Sequence, residues 1–145
     1  MCNFDQYYKP YIVSISAGGS HSAFVDEIGR LFMCGRGKQG QLGLGSYLDE
    51  HLPYYVTRIP DKVQEAACGL DHTIVLSRNG EIYTMGSNLR GQLGIGLATV
   101  KSTVPLPTFL EELSFCKMTK VRAGNFSASL SQDGQLYVWG EGLFG

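Results

Sequence analysis

The sequence has no run of basic residues and no acidic tail. Its 145 residues hold 12 Lys and Arg against 13 Asp and Glu, scattered, for a net charge of −1. A basic patch or stripe, the electrostatic footprint of a nucleic-acid binder, is therefore missing, and nucleic acid is not an expected partner. Long apolar runs are missing too. None approaches the ~20 residues a membrane-spanning helix needs, so no membrane partner is expected. The segment Met1 to Pro10 carries no basic region followed by an apolar stretch, and no signal peptide is visible. The four cysteines, Cys2, Cys34, Cys68 and Cys116, form no Cys-x-x-Cys pair. Cys34 and Cys68 sit in apolar, strand-like surroundings, where a free thiol behaves as a small hydrophobe. A reducing compartment, cytoplasm or nucleus, is the expected location. Charged residues make up only 17% and apolar ones 43%, too few charges for disorder and enough apolar surface for a compact domain.

Glycine is what the chain has in plenty, at 19 residues, well above the usual share of roughly 7%. These glycines recur. Gly18, His21, Gly29, Gly35, Gly40, Gln41, Leu42, Gly43 and Gly45 return 51 residues later as Gly69, His72, Gly80, Gly86, Gly91, Gln92, Leu93, Gly94 and Gly96. A third copy begins at Gly124, and its Gly134, Tyr137 and Gly140 match Gly80, Tyr83 and Gly86 at an offset of 54. The copies span about 13–62, 63–117 and 118–145. Repeats of this length are supersecondary units that bury their apolar faces against their neighbours.

Within the second copy, Thr73 to Ser77 is β-branched and apolar and reads as a buried strand. Arg78-Asn79-Gly80 reads as a hairpin turn with positive φ at both Asn79 and Gly80. Glu81 to Met85 alternates polar and apolar, as a half-buried strand does. Upstream, Val63 to Ala67 fits an inner strand. The other copies give strands at Val13–Ala17, Ser22–Val25 and Arg30–Cys34, then at Val121–Ala123, Ser127–Ser131 and Gln135–Trp139. Short strands at regular spacing, about four per ~50-residue period, predict an all-β propeller architecture of antiparallel blades.

Two segments vary between copies, Ser46 to Lys62 and Leu97 to Lys117. Both read as connectors able to carry partner specificity. Thr108-Phe109-Leu110-Glu111 has the spacing of a capping box and predicts one helical turn through Leu113.

Gly35-Arg36-Gly37-Lys38-Gln39-Gly40 and Gly140-Glu141-Gly142-Leu143-Phe144-Gly145 match a dinucleotide-binding fingerprint. That fingerprint needs a helix directly after the glycines. Gln41-Leu42-Gly43-Leu44-Gly45 cannot form one, so a turn-rich connection is expected and no cofactor. His21 and His72 stand beside hydroxyl residues, but they recur at one repeat position, which argues against a unique catalytic centre. Two histidines without further ligands do not make a zinc site. No catalytic residue and no metal is expected.

The residues Ala17-Gly18-Gly19-Ser20-His21-Ser22, Asp26 to Gly29, Leu31 to Gly35 and Gly40-Gln41-Leu42-Gly43 resemble the repeat of the regulator of chromosome condensation family. Cys68-Gly69-Leu70-Asp71-His72-Thr73 through Gly91-Gln92-Leu93-Gly94 resembles it as well. Ala123-Gly124-Asn125-Phe126-Ser127 through Trp139-Gly140 fits with one residue deleted and Phe126 at the His position. The resemblance implies a seven-bladed β-propeller whose sequence repeats straddle two blades. Fewer than three repeats are present, so the chain is expected to be part of a larger propeller or to complete itself by self-association. Its first and last blades are expected to expose apolar residues, such as Ile12, Val138 and Trp139 where these lie on an unpaired face. The family includes the nucleotide exchange factor of the Ran GTPase, which implies a binding face on the loops after the first repeat glycine. Matching positions here are Gly19, Ser20, His21, Leu70, Asp71, His72, Asn125 and Phe126. His21, Asp71, His72 and Phe126 are the candidate partner-binding residues. The function implied is protein–protein interaction. Guanine-nucleotide exchange on a small GTPase is the alternative, and a chromatin-associated role the third, although the basic N-terminal arm it would use is absent.

Overall fold

A computed structural model describes residues 9–96 and 101–140. Cys2 and most of the second glycine fingerprint lie outside the described residues. Strands dominate. A first sheet holds β1 (Ile12–Ala17), β2 (His21–Asp26), β3 (Leu31–Gly35) and β4 (Glu50–Tyr55) in that order. A second holds β5 (Val63–Cys68), β6 (His72–Ser77), β7 (Ile82–Ser87) and β8 (Thr103–Phe109). The third comprises β9 (Met118–Ala123), β10 (Phe126–Ser131) and β11 (Leu136–Gly140). All pairings are antiparallel between chain neighbours, as in propeller blades.

The sheets stack face to face through two cores. Ala23, Val25, Leu31, Met33 and Leu42 of the first repeat pack on Val63, Ala66, Cys68, Val75, Tyr83 and Met85. Ala67, Ile74, Leu76, Ile82 and Leu110 pack on Met118 and Val121. The period of two in a strand explains the partition. Val75 serves one core, and its neighbours Ile74 and Leu76 serve the other. This is why β6, with Ile74-Val75-Leu76 at its centre, is buried at all six positions.

The nine expected strands are all present. Two further strands were not expected, β4 and β8, which occupy the segments read as connectors. Each is the outermost strand of its sheet. Pro53 in β4, and Pro105 and Pro107 in β8, hide them from a strand reading, yet an edge position tolerates proline because one side of the ladder is open. The capping box does not form. Thr108 belongs to β8 and its hydroxyl donates to Leu106 O. A short 3-10 helix, Glu111–Leu113, starts from Leu110 with no side-chain cap. The hairpin is also of another kind. Among the described residues no residue other than glycine has positive φ, so Asn79 does not. Gly80 alone does, at +82°. Gly80 N donates to Ser77 O (3.0 Å) and Ser77 N to Glu81 O (2.9 Å), a type I turn closed by a left-handed glycine. Gly29 and Gly134 close the other two hairpins the same way.

Candidate functional site at the loop end of the sheets

The strands define two ends. Hairpins with Gly29, Gly80 and Gly134 lie at one. The loops preceding β2, β6 and β10 lie at the other, and these carry the candidate residues. Adjacent loops are joined through their backbones. Gly19 N donates to Gly69 O (3.0 Å), and Leu70 N donates to Gly124 O (3.1 Å). The approach is close enough that a Cβ on Gly69 would lie 2.7 Å from Gly124 O and 2.6 Å from His72 Nδ1, so only glycine fits.

His21 and His72 point inward from these loops, at 3% and 1% exposure. Each reaches the next sheet. The Thr73 hydroxyl donates its one proton to Gln41 O (2.7 Å). It therefore accepts from His21 Nε2–H (2.8 Å). In the same way, Ser127 donates to Gln92 O (2.7 Å) and accepts from His72 Nε2–H (2.9 Å). The two relays are equivalent: histidine of one sheet, hydroxyl of the next, glutamine carbonyl of the returning loop. The glutamine side chains fix those loops, with Oε1 of Gln41 and Gln92 accepting from Gln39 N (2.9 Å) and Arg90 N (2.8 Å). Burial lowers the pKa of His21 to about 4, against opposing contributions from His72 and Asp71. Burial also lowers that of His72 to about 4, aided by His21 and opposed by Asp71. With pKa values of about 4, both rings are neutral at physiological pH, and each carries its one proton at Nε2.

This geometry decides the chemistry. A nucleophilic Ser or Thr must give its proton to histidine. Here Thr73 and Ser127 give theirs to carbonyl oxygens, so neither pair is a hydrolytic dyad. Nε2 carries a proton in both rings and is closed to a metal ion. Among the described residues no group of three or more His, Cys, Asp or Glu is placed to hold a metal. The glycine fingerprint at Gly35 to Gly40 continues as turns, Gly40 N to Gly37 O (2.9 Å) and Gly43 N to Gly40 O (3.1 Å), and Gly37 N is held by the Asp49 carboxylate (2.9 Å). Among the described residues no helix follows these glycines.

Of the four candidate residues, Asp71 and Phe126 stay on the surface, while the two histidines are enclosed and hold the sheets together. Phe126, at the histidine position of the third copy, is 49% exposed. Leu70 and Leu89 stand exposed nearby at 48% and 71%. Asp71, Arg90 and Asn125 line a cavity of about 140 Å³ between the second and third sheets. That is below the roughly 300 Å³ at which small-molecule sites begin. Sequence reasoning missed Thr73, Ser127, Gln41 and Gln92 as partners of the histidines. A signal was present: a hydroxyl follows the histidine position in every copy, as Ser22, Thr73 and Ser127.

Comparison with known proteins agrees with this architecture. Residues 29–76 and 79–129 match the model of the regulator of chromosome condensation (RCC1) repeat. The X-linked retinitis pigmentosa GTPase regulator of Canis lupus familiaris is 41% identical over 129 residues, which are 88% of this chain and 13% of that protein. The secretion-regulating guanine nucleotide exchange factor of Bos taurus is 37% identical over 136 residues, 91% of this chain and 28% of that protein. The crystal structure of human WBSCR16 superposes with a TM-score of 0.83 at 27% identity, covering 94% of this chain and 34% of that one. The chain thus spans about a third or less of each. With its glycine register, its stacked antiparallel blades and this match over most of its length, the chain belongs to the regulator of chromosome condensation repeat family.

Proposed function

We propose that these blades serve as a rigid platform for docking a protein, through the loop end of the sheets. One observation carries this reading. The residues with catalytic potential, His21, Thr73, His72 and Ser127, are all engaged in tying sheet to sheet, and what the same loops leave outside is a mixed patch. Leu70, Leu89 and Phe126 supply exposed apolar area, and Asp71, Arg90 and Asn125 supply polar groups beside it. Exposed apolar side chains among polar ones are the usual make-up of a protein-binding surface. The histidines contribute by fixing the loops. The unpaired faces at either end, with Val13 and Ile15 on β1 and Leu136 and Val138 on β11, are seats for further blades or for a second copy of the chain. Cys34, Cys68 and Cys116 are free thiols, which suits the cytoplasm or nucleus.

A second reading is exchange of guanine nucleotide on a small GTPase. It is favoured by the name of the bovine relative and by the exposed acid Asp71 on the loop end. Exchange displaces contacts around the nucleotide and needs no covalent chemistry, so the engaged histidines do not oppose it. Titration with a Ran-type GTPase loaded with fluorescent GDP, read by amide hydrogen exchange and by GDP release, tests both. Protection confined to Leu70, Asp71, Asn125 and Phe126 supports docking there, and accelerated GDP release with it supports exchange. Protection elsewhere on the chain would remove the loop end from consideration.

A further inference from the structure

The relays between sheets have a direction. A histidine of one sheet donates to a hydroxyl on the facing side of the next, His21 to Thr73 (2.8 Å) and His72 to Ser127 (2.9 Å). Each hydroxyl in turn donates to the returning loop of the sheet before it, Thr73 to Gln41 O and Ser127 to Gln92 O, both at 2.7 Å. The second sheet therefore receives on one face and gives from the other.

The first sheet carries the same receiving face. Ser22 stands 51 residues before Thr73. It pairs with Ala17 and Cys34 in the register in which Thr73 pairs with Cys68 and Met85. Ile15 and Phe24 pair beside it as Ala66 and Val75 do in the second sheet. Ala66, Val75 and Met85 are buried against the first sheet. Their counterparts are not enclosed in this way: Ile15 is 74% exposed, and Phe24 and Cys34 are half-buried. Among the described residues the Ser22 hydroxyl has no hydrogen-bond partner.

A hydroxyl enclosed without a partner is costly, so whatever covers this face must satisfy Ser22. A second copy would approach with its third sheet. Its Leu136 and Val138 would match the apolar part of the face, since both are exposed there. Beside Ser22, however, it would set Phe126, which pairs with Gly140 as His21 pairs with Gly35 and His72 with Gly86. A phenyl ring has no N–H to donate.

We propose that the outer face of the first sheet seats a blade that presents a histidine at the repeat position, donating Nε2–H to Ser22, and that a second copy of this chain is not its occupant. This rests on the end faces being seats for further sheets and names what the first one takes.

The test gives the second copy that histidine. Sedimentation velocity of the whole chain compares wild type with Phe126→His, and with Phe126→His combined with Ser22→Ala or Ser22→Thr. One further hydrogen bond at an enclosed junction corresponds to about tenfold in association. Phe126→His should therefore tighten head-to-tail association about tenfold over wild type. Ser22→Ala should remove the gain, and Ser22→Thr, which brings the hydroxyl found at Thr73, should keep it. Iodoacetamide labelling of Cys34 reads the face itself. It should slow in the Phe126→His chain and recover when Ser22→Ala is added. Circular dichroism checks that each variant folds, and Ser22→Thr keeps the test decisive if Ser22→Ala does not. Association as tight in wild type as in Phe126→His, with Cys34 shielded in both, would keep the seat and overturn the histidine as its key. A gain that survives Ser22→Ala would overturn it too. No association in either chain, with Cys34 labelled at equal rates, would overturn the proposal and the seat together.

Discussion

The second and third sheets repeat the same pattern in different surroundings. Ile82 and Thr84 of the second correspond to Leu136 and Val138 of the third, at the offset of 54. The former are 2% and 0% exposed, the latter 67% and 56%. Strand pairing is the same in both, Leu76 with Ile82 and Leu130 with Leu136. Local sequence therefore makes the hairpin, while a neighbouring sheet makes the core. Polar groups follow the same rule. His72 has Ser127 of the next sheet to receive its Nε2–H, whereas the third copy places Phe126 where that donor would be.

Acid should attack the junctions most strongly. Both buried histidines have folded pKa values of about 4, below the ordinary value of 6.5. Below pH 6.5 the unfolded chain binds protons that the folded chain excludes. Their contribution is complete above about pH 6.5 and is lost as pH falls toward 4, by up to roughly 3 kcal/mol per histidine. Urea unfolding at pH 7.5, 5.5 and 4.5 measures it. The His72→Gln variant should show a shallower dependence, and an unchanged slope would mean that the ring is not excluded from water.

Next come the matched positions. Ile82→Ala should cost about 2–5 kcal/mol, because the neighbouring sheet leaves a cavity behind. Leu136→Ala should stay within about 0.5 kcal/mol, as a surface change does. Similar urea midpoints for the two would mean that Leu136 is covered in solution, and a concentration-dependent midpoint would identify a second copy as the cover.

A smaller contrast separates the hairpin glycines. Gly80 and Gly134 have φ of +82° and +80°. A Cβ on Gly80 would come within 2.8 Å of Lys117 Cβ and 3.1 Å of Met118 N, whereas one on Gly134 meets nothing within 4 Å. Gly134→Ala should therefore cost only the left-handed strain, about 1 kcal/mol. Gly80→Ala should cost about 1 kcal/mol more, from the crowded backbone of β9. Thermal melts of the two variants would show the gap, and equal melts would remove the role of the neighbour at that end.

The inner strands and hairpins were legible because their signals are local. Thr73 to Ser77 is β-branched and apolar at its centre, Ile74-Val75-Leu76, and a glycine stands at each turn. The turn type was misjudged at Asn79, since Asn-Gly suits two hairpin geometries and only the three-residue loop leaves Asn79 at negative φ. β4 and β8 were hidden because Glu-His-Leu-Pro-Tyr-Tyr and Thr-Val-Pro-Leu-Pro-Thr-Phe share no pattern and contain prolines that only an edge allows. Whether Trp139 lies on an open face is not legible from its own segment. It packs against the second core and donates Nε1–H to Gln92 O (3.0 Å), whereas Val138 beside it is exposed. The histidines stood out by recurrence, but their direction did not. Their acceptors lie 52 and 55 residues away, a separation that no local motif encodes.

The central claim is that the recurring histidine holds sheet to sheet through the hydroxyl of its neighbour. A double-mutant cycle at His72 and Ser127 tests it most directly. His72→Phe introduces the residue of the third copy, and Ser127→Ala removes the hydroxyl. Ser127→Ala alone leaves the buried Nε2–H unpaired and should cost about 1–3 kcal/mol. With His72→Phe also present, the combined cost should fall short of the sum by about 1 kcal/mol or more. Costs that add to within about 0.3 kcal/mol would show that the two side chains do not act together, and would contradict the account.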